Sequence, residues 1–159
     1  MKALKKGTTV ASEVAVRRSA HRTQWAAQFA VASELCKRGY EVAITMGNHP
    51  SVDLMVYSPN QVAFSVDVKG LYKKNFWAVR PKVVKDNLFY VLAFVPDQGQ
   101  NRFFILTQKQ VNEAIAAEEA SARKRAGAKG RSNESVGDFP GIVWSHAESF
   151  EDKWKSLPD

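Results

Sequence analysis

Several features that would place this 159-residue chain in a special class are absent or scarce. Its single cysteine, Cys36, excludes a disulfide scaffold and fits a reducing compartment. The longest apolar run, Leu88 to Val95, has eight residues, far fewer than the roughly 20 that a membrane-spanning helix needs. No apolar stretch follows the basic N-terminus, so we expect no signal peptide and a cytoplasmic protein.

Recognisable motifs are scarce as well. There is no internal repeat, no zinc pattern, no glycine-rich phosphate loop and no nucleophile elbow, and the three histidines lack ligand-like spacing. A hydrophobic fraction of 45% and a charged fraction of 25% are ordinary for a globular protein and exclude global disorder. The length fits one domain with extensions. We expect a basic N-terminal extension (1–22), a core (23–120), a basic glycine-containing loop (121–140) and a strand/helix tail packed on the core (141–159).

Positive charge is concentrated in three segments. The net charge of +7 comes from 23 basic and 16 acidic residues. Residues 1–25 contain six basic side chains against one acidic, and residues 121–131 contain five against none; the rest has 12 basic and 15 acidic residues. The third segment has no acid between its ends and contains Lys69, Lys73, Lys74, Arg80, Lys82 and Lys85. Such segments suit a polyanion, although solubilising tails and a solvated loop would have the same composition.

Apolar periodicity predicts a first helix from about Thr23 to Arg38, ending at Gly39. Its predicted buried face, which we expect to include the cysteine, consists of Trp25, Phe29, Ala32 and Cys36, widened by Val31 and Leu35. Thr107 and Gln110 have capping-box spacing and predict a second helix, which turns polar toward its C-terminal end.

Between the helices, apolar runs predict strands at residues 40–45, 52–57, 61–69, 76–79, 88–95 and 102–106. The second and third flank Ser58-Pro59-Asn60 and are typical of a hairpin. The continuous apolar run at 88–95 is typical of a buried central strand. The order is a helix, three strands, a basic loop, a strand pair and a helix, which predicts a mixed α/β domain on a hairpin-rich sheet.

Charged residues stand out in two of these apolar strands. Side chains two apart on a strand point to the same face, so Asp67 and Lys69 share one side while the flanking valines take the other. Asp53 lies in the preceding strand, and a tight hairpin would bring it within a few ångströms of Asp67. Three charges on adjacent apolar strands are costly to bury without a reason.

Two facing carboxylates repel each other unless a cation lies between them, and their hard oxygens favour Mg²⁺ or Mn²⁺. Such a cation activates water and stabilises charge on a phosphate, and a neighbouring lysine can add to that stabilisation. These residues therefore indicate phosphodiester hydrolysis. A structural ion pair at a sheet edge is the alternative interpretation of Asp53, Asp67 and Lys69.

The order of these motifs resembles the PD-(D/E)XK nuclease superfamily, especially its small Holliday-junction-resolvase-like and restriction-endonuclease-like members. The resemblance covers roughly Thr23 to Leu106 and is carried by the first helix, Arg38-Gly39-Tyr40, Ser51-Val52-Asp53-Leu54 and Val66-Asp67-Val68-Lys69. It implies a restriction-endonuclease-like αβββαβ core, with a mixed sheet flanked by helices. It also implies that Asp53 and Asp67 are metal ligands and that Lys69 is the catalytic lysine.

The chain departs from the family pattern at two positions. Val52 stands where the family often has proline. Gln28 aligns with a first-helix glutamate that completes the metal site in many relatives, and an amide binds Mg²⁺ less strongly than a carboxylate. Gln28 could still ligate through its carbonyl oxygen or orient a water, or it could be an ordinary residue of the helix surface.

Further residues are candidates for contact with nucleic acid. Basic side chains would contact phosphates, and a tryptophan would stack on a base. The candidates are Lys73, Lys74, Trp77, Arg80 and Lys82 from the middle of the chain and Arg123, Lys124 and Arg125 from the later basic segment. The alternatives are a solvated loop around a core tryptophan and a disordered linker.

Three functions are compatible with the sequence. The first is a Mg²⁺- or Mn²⁺-dependent endonuclease acting on nucleic acid, with DNA preferred. The second is a non-catalytic nucleic-acid-binding module with a degenerate nuclease fold, which Gln28 favours. The third is an interaction subunit of a larger assembly. The resemblance allows a homodimer, since resolvase-like relatives cut two strands with two sites, but the sequence shows no dimer signature beyond its apolar strands.

Overall fold

The computed structural model describes residues 17–46, 52–130, 132, 136 and 138–159. Most of the N-terminal extension, residues 1–16, lies outside them. The helices and strands in chain order are α1 (Ala20–Lys37), β1 (Glu41–Ile44), β2 (Leu54–Tyr57), β3 (Ala63–Leu71), β4 (Trp77–Ala78), β5 (Leu88–Phe94), β6 (Arg102–Thr107), α2 (Gln108–Ala128), β7 (Gly141–Ile142) and α3 (Trp144–Ala147). Within the described ranges, no helix combines the length and the apolar character needed to cross a bilayer.

Five strands form one mixed sheet in the order β1-β2-β3-β5-β6. The pairs β1–β2, β2–β3 and β5–β6 are antiparallel, and β3–β5 is parallel. Helices α1 and α2 cover opposite faces, which confirms the predicted α/β fold with a mixed sheet flanked by helices. Strand β5 is buried along six of its seven residues, as expected for a central strand.

The connection between the parallel strands β3 and β5 contains β4 and, unlike an αβββαβ core, no helix. We call this connection, residues 72–87, the crossover. A parallel pair needs a long connection because the chain must return to the end of the sheet at which the first strand began. Here β4 pairs with β7 from the C-terminal tail, and Trp77 packs into the core beneath α2. The tail therefore holds the crossover in place, and helix α2 follows the β5–β6 pair instead.

Helix α1 packs on the sheet through only part of its predicted face. Val31 and Leu35 are fully buried as predicted, together with Ala27, whereas Phe29 is 55% exposed and Cys36 is also exposed. The prediction that Phe29 and Cys36 belong to the core is therefore wrong. The reason is a close approach at Gly70 of β3, where an added Cβ would lie 2.7 Å from the Cβ of Ala27. Only small residues fit at this contact, so the aromatic stripe faces outward.

Helix α2 begins with the predicted capping box, in which Thr107 and Gln110 bond each other's backbone N–H groups. It ends at Ala128, so the first part of the segment expected to be a loop, residues 121–128, is helical. Alanine-rich composition and same-helix ion pairs such as Arg123–Glu119 favour this extension. At the other end of the core, α1 already begins at Ala20, within the expected N-terminal extension.

Candidate active site

Asp53 immediately precedes β2 and Asp67 lies on β3, so the hairpin places the two aspartates side by side, as predicted. Leu54 of β2 pairs with Val66 of β3, and each aspartate is the next residue outward from this pair. The Asp53 backbone N–H donates to the carbonyl of Val66 at 3.0 Å. Within β3, Val66 and Val68 belong to the core beneath α1, whereas Asp67 pairs in register with Tyr90, which belongs to the core beneath α2.

Neutral groups hold the Asp53 carboxylate. The Gln28 side-chain amide donates to Oδ1 at 2.6 Å, and the Val68 backbone N–H donates to Oδ2 at 2.8 Å. The Gln24 amide approaches Oδ2 at 3.4 Å. Burial raises the pKa of Asp53, and the negative charge of Asp67 raises it further; the Val68 hydrogen bond and the Lys69 charge oppose both effects. The net direction is upward, so the ionised form of Asp53 is less favoured here than in water.

Lysines hold the Asp67 carboxylate, which has no exposed surface. Lys69 pairs with Oδ1, and the Nζ of Lys82 lies 3.4 Å from Oδ2. Oδ1 is buried and has no partner with hydrogen-bond geometry, since its contact with Lys69 is an ion pair without that geometry. A buried carboxylate needs such charge compensation, because transfer from water to a poorly polar interior strongly disfavours an isolated charge.

Gln24, which sequence reasoning missed, occupies a place that a backbone strand would normally take. Strand β2 pairs with β3 only as far as Val66. Beyond it, Gln24 Nε2 donates to the Val68 carbonyl at 2.7 Å, and Gln24 Oε1 accepts from the Gly70 N–H at 3.3 Å. With the Asp53 bond to the Val68 N–H, two side chains complete the edge of β3. The available signal was the second glutamine, one helical turn before Gln28.

A polar network from α2 fixes Lys82. Asn112 accepts from the Lys82 backbone N–H at 3.2 Å and donates to its carbonyl at 2.7 Å. Gln108 donates to Asn112 at 2.9 Å and accepts from the Tyr90 hydroxyl at 2.8 Å. Burial raises the pKa of Tyr90, and the charge of Asp67 adds to that effect. Sequence reasoning missed Tyr90, Gln108 and Asn112, because the contact joins segments far apart in the chain.

Of the crossover residues predicted to bind nucleic acid, Lys82 is half-buried and pairs with Asp67, and the other four divide into two groups. Lys73, Lys74 and Arg80 are exposed and available to an anionic ligand. Trp77 is only 1% exposed, and its Nε1 donates to the Ala93 carbonyl at 3.3 Å. Base stacking by Trp77 is therefore excluded, and the alternative interpretation as a core tryptophan is correct.

The predicted basic group of α2, Arg123, Lys124 and Arg125, is exposed but lies at a distance from Asp67. It begins eleven residues after Asn112, which is about 17 Å along a helix axis. Arg123 and Arg125 form ion pairs with glutamates of the same helix. The structure does not bring these residues together with Asp53, Asp67 and Lys69.

Oxygen donors for a cation are few around Asp67. In the described part of the chain, no group of three or more His, Cys, Asp or Glu side chains could hold a metal ion. The nearest set is the Asp53 and Asp67 carboxylates with the Gln28 amide, which contacts Asp53. The two carboxylates supply hard oxygen donors, and Asp67 Oδ1 is buried with an ion-pair contact to Lys69 but no hydrogen bond, so they fit a hard divalent cation. Gln28 turns its amide nitrogen toward Asp53, so it positions that carboxylate rather than offering a ligand oxygen.

No protein-family model, curated protein or solved structure matches this chain. Its function therefore has to be inferred from the residues of the site. Asp53, Asp67, Lys69 and Gln28 come together as the sequence predicted, while Lys82 and Gln24 join them from the crossover and from α1.

Proposed function

We propose that this protein hydrolyses phosphodiester bonds of nucleic acid, DNA in preference to RNA, as a Mg²⁺- or Mn²⁺-dependent endonuclease. The observation that carries the proposal is the buried Asp67 carboxylate, paired with Lys69 and close enough to Asp53 to raise its pKa. A carboxyl group whose pKa is shifted by burial and by a neighbouring charge, as that of Asp53 is, is typical of functional sites.

Asp53 and Asp67 would hold the cation, and the Gln28 amide would orient Asp53 toward it. When bound, the cation would activate water and stabilise negative charge on the phosphate. Lys69 is 30% exposed at its side chain, so its ammonium group can meet a phosphate oxygen while it remains beside Asp67. Its role in the proposal is to stabilise charge that develops on that phosphate.

The charge of the crossover supports a nucleic-acid substrate. Lys73, Lys74 and Arg80 are exposed on the segment that leaves β3 directly after Lys69 and Gly70. Neutralisation of backbone phosphates by such residues releases counterions and makes binding depend on salt. The same segment supplies Lys82 to Asp67, so the exposed basic residues and a partner of the buried carboxylate lie on one segment of the chain.

A second candidate function is nucleic-acid binding without catalysis, and one observation favours it. Lys69 and Lys82 both pair with Asp67, and both oxygens of Asp53 already accept hydrogen bonds from neutral donors. The site is thus compensated by the chain's own residues. A glutamine in place of a third carboxylate would leave a weaker cation site.

Cleavage of a labelled panel in Mg²⁺ and in Mn²⁺ tests the proposal. The panel contains duplex, single-stranded, flapped and four-way-junction DNA together with RNA. We expect wild type to cut DNA, and Asp67→Asn to reduce the rate at least about 100-fold, as for loss of an electrostatic group at a reacting centre. Asp86→Asn, which changes an exposed carboxylate of the crossover, is the matched control and should cut like wild type.

Binding without cleavage in wild type would contradict the nuclease proposal and support the binding module. Equal cleavage by wild type and Asp67→Asn would place the activity at another site or in a contaminant. Binding that falls steeply with added salt in all three proteins would support phosphate contact by the crossover.

A further inference from the structure

A cavity of about 290 Å³ opens beside the carboxylates on the crossover side. It is lined by one residue of β3, by crossover residues and by the segment that leads into β7: Lys69, Phe76, Ala78, Val79, Arg80, Lys82, Phe139 and Pro140. Lys69 and Lys82 are the two lysines that pair with Asp67, so the cavity and the carboxylate site share residues. A ligand in this cavity would lie next to the proposed reacting phosphate.

Two aromatic rings contribute to the lining: Phe76 is packed against the backbone, and Phe139 is exposed. Phe76 packs onto Gly141 so closely that a Cβ there would lie 2.4 Å from the Phe76 ring. Hence Gly141 permits this position of Phe76. Phe139 is 85% exposed, the most exposed of the large apolar side chains in the described part of the chain. A ring exposed beside three cationic side chains is suited to a planar ligand that carries negative charge.

We propose that this cavity receives an unpaired nucleobase of the substrate, adjacent to the phosphate held near Asp67. The inference rests on the proposed function and names its substrate class: nucleic acid with an unpaired nucleotide beside the bond that is cut. Aromatic stacking on a base requires that its face be free, which pairing and stacking in a duplex prevent. Arg80 and Lys82 supply positive charge for the adjoining phosphates.

The size and the lining set the expected selectivity. A volume of about 290 Å³ is at the lower end of small-molecule sites, which span roughly 300–1,000 Å³. It suits one nucleotide unit rather than a duplex segment. The polar side chains of the lining are all cationic, and none can accept a hydrogen bond from a base. We therefore expect little discrimination among the four bases, because stacking is tolerant of sequence.

The test measures binding by fluorescence anisotropy in EDTA, so that no cleavage occurs. Three labelled DNA duplexes serve as probes: one fully paired, one with a single bulged thymidine, and one with a bulged abasic residue in its place. We expect wild type to bind the thymidine bulge about 5- to 150-fold more tightly than the abasic bulge, the range for one stacked base. Phe139→Ala should lose this preference and bind the abasic bulge like wild type.

Phe29→Ala is the matched control, since it removes another exposed phenylalanine on the opposite face of the sheet. It should keep the full preference for the thymidine bulge. Equal binding of the two bulged duplexes by wild type would overturn the inference. So would a Phe139→Ala variant that weakens binding of all three probes to the same degree.

The nuclease proposal and the base-site proposal can fail independently of each other. A wild-type protein that prefers the thymidine bulge but cuts nothing in Mg²⁺ or Mn²⁺ would support the cavity as a base site and contradict the nuclease. A wild-type protein that cuts the paired, abasic and thymidine duplexes equally well, and binds them equally, would support the nuclease and overturn the base site.

Discussion

The two carboxylates of the candidate site are close neighbours in opposite surroundings. Asp53 faces α1 and is held by amides and a backbone N–H, all neutral donors. Asp67 lies on the α2 side and is held by two lysines. Adjacent carboxyl groups with different partners can take different roles, since environment rather than residue type sets their ionisation. Here Asp53 depends on hydrogen bonds for its charge, and Asp67 depends on ion pairs.

Removal of both lysines should have the largest effect on stability, and it tests whether Asp67 depends on its ion pairs. Lys69→Met with Lys82→Met leaves the fully buried Asp67 charge without a partner. Loss of the partners of a buried charge lowers the free energy of unfolding by roughly 3–5 kcal/mol. Urea denaturation at neutral pH measures this loss. Adding Asp67→Leu should restore much of the stability, whereas a double variant as stable as wild type would show that Asp67 does not need the two lysines.

The two glutamines of α1 should differ, with Gln24 the more important for stability. Gln24→Leu leaves the Val68 carbonyl and the Gly70 N–H without partners, and we expect the free energy of unfolding to fall by roughly 2–3 kcal/mol. Gln28→Leu removes one donor from Asp53, with an expected loss of about 1 kcal/mol. Denaturation of the two variants side by side checks the order. The reverse order would show that the edge of β3 does not need Gln24.

The smallest effect is a dependence on pH that comes from Asp53. Its pKa in the folded protein is raised above the ordinary value of 3.8. The folded state therefore binds this proton more tightly, and the resulting stability is present below 3.8 and lost as pH rises through the folded pKa. Asp53→Asn, which cannot ionise, should gain stability relative to wild type across that window. Denaturation at a series of acidic pH values measures the stability of Asp53→Asn relative to wild type. A relative stability that falls as pH rises would refute the raised pKa.

The site could be predicted to a large extent because its residues lie in strong local patterns. Apolar strands flanking a turn predicted the hairpin, and period-two alternation placed Asp67 and Lys69 on one face. Gln28 was located by its alignment on α1, and it does contact Asp53. Gln24 could not be assigned its role, because that role exists only where β2 stops pairing with β3.

The orientation of α1 and the burial of Trp77 could not be predicted, because they depend on contacts between segments that are far apart in the sequence. Two overlapping stripes of α1 are apolar, and the close approach of Ala27 to Gly70 decides between them. Trp77 lies on a two-residue strand whose partner, β7, is far along the chain. The composition of the crossover is that of an exposed basic loop, and the tail pairs with it where Trp77 is buried.

The glutamine and aspartate that complete the edge of β3 also bear on how the protein behaves in concentrated solution. An uncovered strand edge can bind a strand of another molecule, which is a route to aggregation. In the described part of the chain, no strand covers Val68 and Gly70 on this side, yet the Val68 N–H and carbonyl and the Gly70 N–H are already bonded by Gln24 and Asp53. This part of β3 can therefore remain uncovered by a strand without offering these backbone groups to a second molecule.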